Sequence, residues 1–444
     1  MIFASHLMKS VCGFSMLLRT YCSSTLFVTG NKAHKTASVL IPHLDCEERF
    51  QGLEKLKRNV MLRKLDLDVD NVHQLWEKLR SIEQTKECME QKRIEIASIT
   101  KALKKNNNFQ EIEKLKVQGR SLRDDIKKVT KKFWEMQEKA IGQFLSLPND
   151  LDPDTPETEE KVLYEFGNVP QDPSECHTVI GNKQDLVRYF SPVCYYLTGA
   201  AAVYELKLLQ HFADSLHVAE FAETCNSDFV RSIVVEGCGM KHINSVSVFT
   251  IEHSDTGVSD INNRLHLVGG ASLPAYCACH AKTIVTGSLP IRYFTIGRQY
   301  SPIQSKSLPG LFHTCQASCV ELFVLTSDTL KELKAEFHRT LKAVTGIYRS
   351  LGVPFRIVLF PANSLKQWES LRASIQMFSV HNKSFIEVGY LSLCNNYISK
   401  RLLMYYETPE KDKKFVQVLS GTVLSVPKFL GCVLENGHFS DLNI

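Results

Sequence analysis

The chain has 444 residues, 44% of them hydrophobic, and a formal net charge of +5. That is room for two or three domains of roughly 100–200 residues each, with enough apolar content to bury large cores. No uninterrupted apolar run approaches the roughly 18 residues a membrane-spanning helix needs, so membrane insertion is not expected.

The first 44 residues contain no Asp or Glu but carry Lys9, Arg19, Lys32 and Lys35. Ser, Thr and Leu are frequent there, the composition of a mitochondrial transit peptide, and "RTYCSS" (Arg19 to Ser24) supplies an Arg-preceded processing site near residue 21. Residues 1–44 are therefore read as a presequence and the mitochondrial matrix as the destination; the other reading is a disordered basic start.

Residues 45–147 form the next unit. In its second half Ile112, Leu115, Gly119, Leu122, Ile126, Val129, Phe133, Met136 and Ala140 alternate steps of three and four, a heptad seam. Leu75, Leu79, Ile82, Met89, Ile96 and Leu103 repeat the register more loosely in the first half, and "NNN" (Asn106 to Asn108) between the halves suits a helix reversal. The pattern predicts an antiparallel two-helix coiled-coil arm. From Gln51 to Leu145 there are 22 Lys and Arg against 15 Asp and Glu, so this arm is more basic than the chain as a whole. Lys127, Lys128, Lys131 and Lys132 fall on one helical stripe, and Lys92, Arg93, Lys104, Lys105, Lys114, Lys116, Arg120 and Arg123 add to the basic surface. Such a surface suits a phosphate backbone, and it equally suits the solvated outer face that any coiled coil needs.

A Pro- and acid-rich stretch beginning "LPNDLDPDTPETEE" (Leu147 to Glu160) breaks the helix, and residues 148–175 are read as a linker. From 176 to 444 apolar helices and strands alternate. "LTGAAAVYELKLLQHFADSL" (Leu197 to Leu216) is helical, whereas "RYFTIG", "VELFVL", "FRIVLF", "SFIEVGYL", "FVQVLS" and "LGCVLE" are strand-like or strongly apolar. The fold class predicted is α+β, an N-terminal helical arm followed by a mostly antiparallel sheet. No GxGxxG or GxxxxGK[ST] element is present, which argues against Rossmann and P-loop nucleotide binding. Of the fourteen cysteines, only "CACH" (Cys277 to His280) with Cys315 and Cys319 resembles a metal group. Its spacing matches no closed zinc pattern, and a CxC pair on a strand would point both thiols to one face. No metal is expected.

One loop stands apart. "YSPIQSKSLPGLFHTCQASCVELF" (Tyr300 to Phe323) joins two apolar strands in the manner of a ligand-gripping hairpin, yet contains almost nothing that grips an anion. Its neighbours explain it. "YYLTGAAAVYEL" (Tyr195 to Leu206), "DFVRSIVVEGCGM" (Asp228 to Met240), this loop, and "LSGTVLSVPKFLGCVLEN" (Leu419 to Asn436) resemble, in order, segments of seryl-tRNA synthetase, a class II aminoacyl-tRNA synthetase. The resemblance implies an antiparallel class II sheet flanked by helices, an arm that binds tRNA, and dimerisation through the first motif.

It also implies which side chains should carry the reaction, and those are missing. Joining an amino acid to ATP relies on positioning and on cations, chiefly arginines and Mg²⁺, around the triphosphate. Where family members read "FRSE", this chain reads "YSPI", with Ser301 for the Arg and Ile303 for the Glu. Where they read "RGLxRxHQFxKVE", it reads "PGLFHTCQASCVE": Pro309 and His313 replace arginines, Ala317 the adenine-stacking Phe and Cys319 the Lys, while Gln316 and Glu321 remain. In the third motif Lys428 stands for the final Arg, which keeps charge but loses the bidentate fork. Ser272 replaces the Glu of the serine-recognising element, Leu393 replaces an Asn in the segment that keeps Glu387, and Ser227 replaces the first-motif Pro. Gly421 and Thr422 are retained. The expectation is a catalytically inactive scaffold needing no cofactor. It would bind mitochondrial tRNA or other RNA through the arm and pair with the active mitochondrial seryl-tRNA synthetase or with itself. The alternative is residual aminoacyl-adenylate formation.

Overall fold

The computed structural model describes residues 24–26, 40, 42–105, 109–169, 173–243, 247–251, 264–302, 310–437 and 439, with Lys104 and Lys105 described in the backbone only. The reversal at Asn106–Asn108, Ile303 and Pro309 lie outside the described residues. Two short helices, α1 (Cys46–Gln51) and α2 (Leu53–Leu62), precede the two long ones, α3 (Val69–Lys105) and α4 (Phe109–Leu145). Each long helix has 37 residues, about 55 Å at 1.5 Å per residue, and the two pack side by side. The heptad reading explains why. Ile112, Ile126 and Ala140 are buried, the seam positions between them are half-buried, and the lysines between them face water. At the base of the arm Phe50, Leu56, Val60, Val72, Ile141, Phe144 and Leu147 close a separate apolar cluster.

The body is built on one eight-stranded sheet. Its strands, numbered along the chain, are β1 (Lys161–Phe166), β2 (Ala222–Glu223), β3 (Ile291–Tyr300), β4 (Gln316–Thr326), β5 (Phe355–Leu359), β6 (Leu371–Ser379), β7 (Ser384–Asn395) and β8 (Gln417–Ser425). They lie in the order β1-β5-β6-β7-β8-β4-β3-β2, antiparallel except for the short β2–β3 pair. The helices of the body are α5 (His177–Lys183), α6 (Gly199–Val218), α7 (Ser232–Gly237), α8 (Leu273–His280), α9 (Leu330–Ser350), α10 (Tyr397–Leu402) and α11 (Val426–Glu435). Phe212, Phe337, Tyr348, Phe429 and Leu430 from α6, α9 and α11 pack with Val320, Leu322, Ile375, Val388 and Leu391. Val234, Tyr276 and Ile398 from α7, α8 and α10 join Phe323, Leu325 and Val418 in a second cluster. β4 and β8 are therefore buried at nearly every position, as central strands covered on both sides must be, and their polar side chains Glu321, Ser420 and Thr422 bond to one another. No described helix is long and apolar enough to cross a membrane.

Two local expectations change. "CACH" is not on a strand but forms the last turn of α8, so Cys277 is buried and Cys279 exposed. Pro274 in the first turn, where its missing N–H has no intrahelical partner to lose, favours a helix start over a strand. The apolar run "LGCVLE" is likewise helical, in α11.

Residues 24–26, inside the stretch read as a presequence, lie against the body. Thr25 N, Thr25 Oγ1 and Leu26 N all donate to Glu236 Oε2, at 2.6, 2.7 and 3.0 Å. Leu26 is fully buried beside Val230 and Val234.

Candidate functional site

Strands β3 and β4 pair from Tyr300↔Gln316 to Ile291↔Leu325, so the chemically empty loop springs from the open end of a regular hairpin. That end, β7 and the first turn of α11 enclose a cavity of about 370 Å³. Ser301, His313, Ala317, Cys319, Glu387, Thr422 and Lys428 line it, together with Lys366. A smaller cavity of about 150 Å³ adjoins it through Gln299, Ser301 and Tyr390, and adds Ser272, Glu321 and Trp368. Gly389 and Gly421 lie where the backbones of β7 and β8 leave no room for a side chain. A Cβ on Gly421 would run into the Tyr390 carbonyl, and one on Gly389 into that of Val423. Only glycine permits that backbone spacing beside the cavity.

The structure thus brings together Ser272, Ser301, His313, Ala317 and Lys428, five positions singled out from the sequence. It does not bring Leu393, whose side chain is fully buried in the core with Leu371 and Leu419. Ser227, exposed, spends its hydroxyl on the backbone of Phe229 at 3.3 Å.

Glu321 is enclosed. Ser420 Oγ, Thr422 Oγ1 and Gln299 Nε2 donate to it at 2.8, 2.7 and 3.2 Å. Burial nevertheless outweighs those donors and pushes its carboxyl up to about 7. Glu387 is in the opposite condition. Burial opposes its charge, but Arg372 prevails, donating to both oxygens at 3.2 and 2.5 Å, with Ser374 Oγ adding a third bond at 2.7 Å; its pKa is lowered. Arg372 also reaches Glu369 at 2.7 Å and lies 3.8 Å from the Tyr390 ring centre. A carboxylate engaged in this way by an internal guanidinium has little capacity left for a metal ion. On the cationic side, burial and the Lys428 charge depress His313, which is therefore neutral at neutral pH. Lys428 and Lys366 are the charged cations on the wall. The cavity offers a polar floor and two ammonium groups, with a hydroxyl at Ser301 and a methyl at Ala317.

The arm presents the predicted basic surface. Lys92, Arg93, Lys114, Lys116, Arg120, Arg123, Lys127, Lys128, Lys131 and Lys132 are all exposed. Part of the charge is offset locally: Lys116 pairs with Glu113, Lys127 with Asp124 and Lys128 with Asp125, at 3.1, 3.7 and 3.4 Å. Exposed pairs of this kind are worth about 0.2–1 kcal/mol and leave the lysines free to exchange partners.

Sequence reasoning missed the buried polar ties. Arg63, just past the end of α2, donates to the carbonyls of Lys366 and Glu369 at 2.9 and 2.6 Å and to that of Asn149 at 3.0 Å, joining the arm base to the segment that lines both cavities. Burial lowers its pKa to about 10, so it stays charged. His177 is clamped between Glu435, 2.7 Å from Nδ1, and the Leu311 amide, which donates to Nε2 at 2.9 Å. With Cys176 these are the one group among the described residues spaced for a metal. Because Nε2 accepts, Nδ1 must keep its proton for Glu435, which makes the group a structural clamp on α5 and α11. In a linear sequence these residues looked like any surface Arg or His.

Three comparisons agree with this geometry. Residues 250–437 match the tRNA synthetase class II core domain of the glycine, histidine, proline, serine and threonine enzymes. The serine–tRNA synthetase-like protein Slimp of Drosophila melanogaster is 28% identical over 440 residues, covering 97% of this chain and 93% of that protein. The mitochondrial serine–tRNA ligase of Mus musculus is 26% identical over 426 residues, covering 90% and 81%. Seryl-tRNA synthetase from Pyrococcus horikoshii, solved with ATP, superimposes with a TM-score of 0.77 over 88% of this chain and 94% of that one, at 18% identity.

Proposed function

We propose, for a chain that carries a class II tRNA synthetase core domain and is related along nearly its whole length to serine–tRNA ligases, that the inherited reaction is lost and the scaffold serves as an RNA-binding partner in mitochondria. One observation carries this reading. The cavity that should hold a triphosphate presents Ser301, neutral His313 and Ala317 where cationic forks and an aromatic face are needed. Removing a single donor to developing charge typically costs about 10²–10³ in rate, and several are absent here, although such losses do not simply add. Glu387 is engaged by Arg372 and not held open toward the cavity.

The exposed basic face of the arm supports RNA binding, with tRNA the first ligand to test. Pairing is supported by apolar side chains left in water where the resemblance places a dimer interface. Val203 and Leu206 on α6 are more than half exposed, as are Phe190, Val193 and Tyr196 on the hairpin before it. The partner is the mitochondrial seryl-tRNA synthetase or a second copy of the chain, since a face inherited from a homodimer begins complementary to both. The compartment is the matrix, in keeping with the acid-free N-terminus and the mitochondrial ligases among the relatives.

The test is purification of the tagged chain from mitochondria with and without nuclease. Near-stoichiometric seryl-tRNA synthetase that survives nuclease supports a direct heterodimer. RNA without the synthetase supports a free-standing RNA binder, and recovery of neither overturns the proposal. Residual adenylation is the second reading, favoured by Glu321, Thr422 and Lys428 remaining at the cavities. ATP–pyrophosphate exchange above background with any amino acid would establish it.

A further inference from the structure

The two cavities at the open end of the β3–β4 hairpin share Gln299, Ser301 and Tyr390, so they are branches of one space. Their walls differ in kind. The smaller branch is faced by Met240, Val248, Leu273, Pro274 and Trp368. Its buried polar side chains are already engaged with the protein. Ser272 Oγ donates to the Gly269 carbonyl at 2.6 Å. Gln299 Nε2 is shared among the Ala271 carbonyl, Glu321 and Thr422 Oγ1 at 2.5, 3.2 and 2.7 Å. Glu321, the one carboxyl among the residues lining this branch, accepts from Ser420, Thr422 and Gln299. The ammonium of an amino acid would meet no free anion there, whereas a hydrocarbon group gives up only water. A space of about 150 Å³ with such walls holds a group of about six carbons.

The larger branch has the opposite character. Lys366 and Lys428 both line it, and among the described residues neither ammonium pairs with a carboxylate. The acids nearest to hand are taken, since Arg372 holds Glu369 at 2.7 Å and Glu387 at 2.5 Å. The Lys428 charge is felt at His313, Cys319 and Glu387, all on the cavity wall, so the ammonium faces inward. Two cations in a cleft whose carboxylates are neutralised internally leave a positive field, and a recess in the protein surface focuses it. A positive branch thus opens into an apolar one.

We propose that this branched cavity binds a small organic anion, a carboxylate or a phosphate monoester, with an apolar tail of about six carbons. The tail lies in the smaller branch and the charged head at Lys366 and Lys428. The inference rests on the reading that the inherited adenylation is lost, because ATP and an amino acid would otherwise claim the same space.

The experiment is titration of hexanoate and of hexyl phosphate into the full-length chain, freed of RNA, followed by ligand-detected NMR. Saturable binding of one or both with Kd below about 1 mM is expected, and the tighter of the two identifies the head group. Acetate, which lacks the tail, should bind at least about tenfold more weakly, as should hexylamine, which reverses the charge of the head. Lys366→Gln with Lys428→Gln should weaken the tighter anion at least about tenfold. The double variant should keep the wild-type Tm, because neither ammonium is paired within the fold. No saturable binding of either anion, equal affinity for acetate or hexylamine, or unchanged affinity in the double variant would each overturn the proposal. ATP–pyrophosphate exchange separates it from the reading it rests on. Exchange with an amino acid would overturn both, whereas neither exchange nor anion binding would overturn this proposal alone.

Discussion

Glu321 shows at the residue scale how a cavity with no arginine among its described lining residues stays polar. Three donors hold the carboxyl, yet enclosure raises its pKa from 4.5 to about 7. The folded chain therefore keeps a proton that the unfolded chain has released between those values. Stability should fall as pH rises through that window, by about 3 kcal/mol in all, with the full loss present above about pH 7. Glu321→Gln removes the titration. The difference in unfolding free energy between pH 5 and pH 8, taken from urea denaturation, should shrink by about 2–3 kcal/mol relative to wild type. An unchanged difference would mean that Glu321 ionises normally. This behaviour could not be read from the sequence, where Glu321 was noted only as a retained match. Its environment comes from Ser420 and Thr422, 99 and 101 residues away and brought in by the pairing of β4 with β8, and from Gln299, 22 residues away on β3. The same holds for Arg372 and Arg63, whose partners are set by the fold and leave no local pattern.

At the scale of elements, local period decides what is legible. The arm could be read because a 3-4 spacing over several heptads has one physical solution, and Ile112, Ile126 and Ala140 of the seam are buried, whereas Val72, Ile141 and Phe144, buried at the arm base, were outside it. The strands around the loop could be read as apolar runs, but their order, with β8 between β7 and β4, could not, since nothing local encodes a neighbour. "CACH" failed because a short apolar run fits strand and helix alike, and Pro274 decided it. Two predictions belong here. Replacing Lys127, Lys128, Lys131 and Lys132 with Gln should leave helicity unchanged, because all four are exposed. It should also lower the slope of log K against log salt for RNA by up to about 3; an unchanged slope would place the RNA elsewhere. The second concerns Thr25 and Leu26. A chain beginning at Tyr21 keeps the three bonds to Glu236 and the buried leucine, whereas one beginning at Lys32 loses both. Denaturation should show the shorter chain less stable by about 2–4 kcal/mol, the cost of exposing one leucine and taking three donors from Glu236, which keeps His242 at 3.6 Å. Equal stabilities would mean that the segment does not dock.

The molecule as a whole has a basic arm at one end of the chain and an unpartnered apolar face near the start of its body. Phe190 and Tyr196 meet edge-on at 6.0 Å on the hairpin, and Thr198, at the start of α6, donates its amide to the Leu186 carbonyl at the hairpin's base at 2.9 Å. Leu206, 69% exposed, extends the surface along α6. Scattered exposed leucines need no explanation, but a cluster across two adjoining elements is the surface on which the proposed pairing is to be tested. The remaining side of α6 is already committed, with Leu208, Phe212 and Leu216 fully buried in the core, so charge can be placed at 206 without disturbing the fold. Sedimentation at micromolar concentration should find wild type dimeric, alone or with the mitochondrial seryl-tRNA synthetase. Leu206→Glu with Phe190→Glu should be monomeric and equally stable, because both side chains are in water in the single chain. Should the variant still dimerise, the face is not the interface. Should wild type be monomeric and ignore the synthetase, RNA binding by the arm would have to carry the function alone. The quadruple lysine variant would then abolish that function, whereas in a heterodimer it would only weaken it, since the partner's own arm would still hold the tRNA.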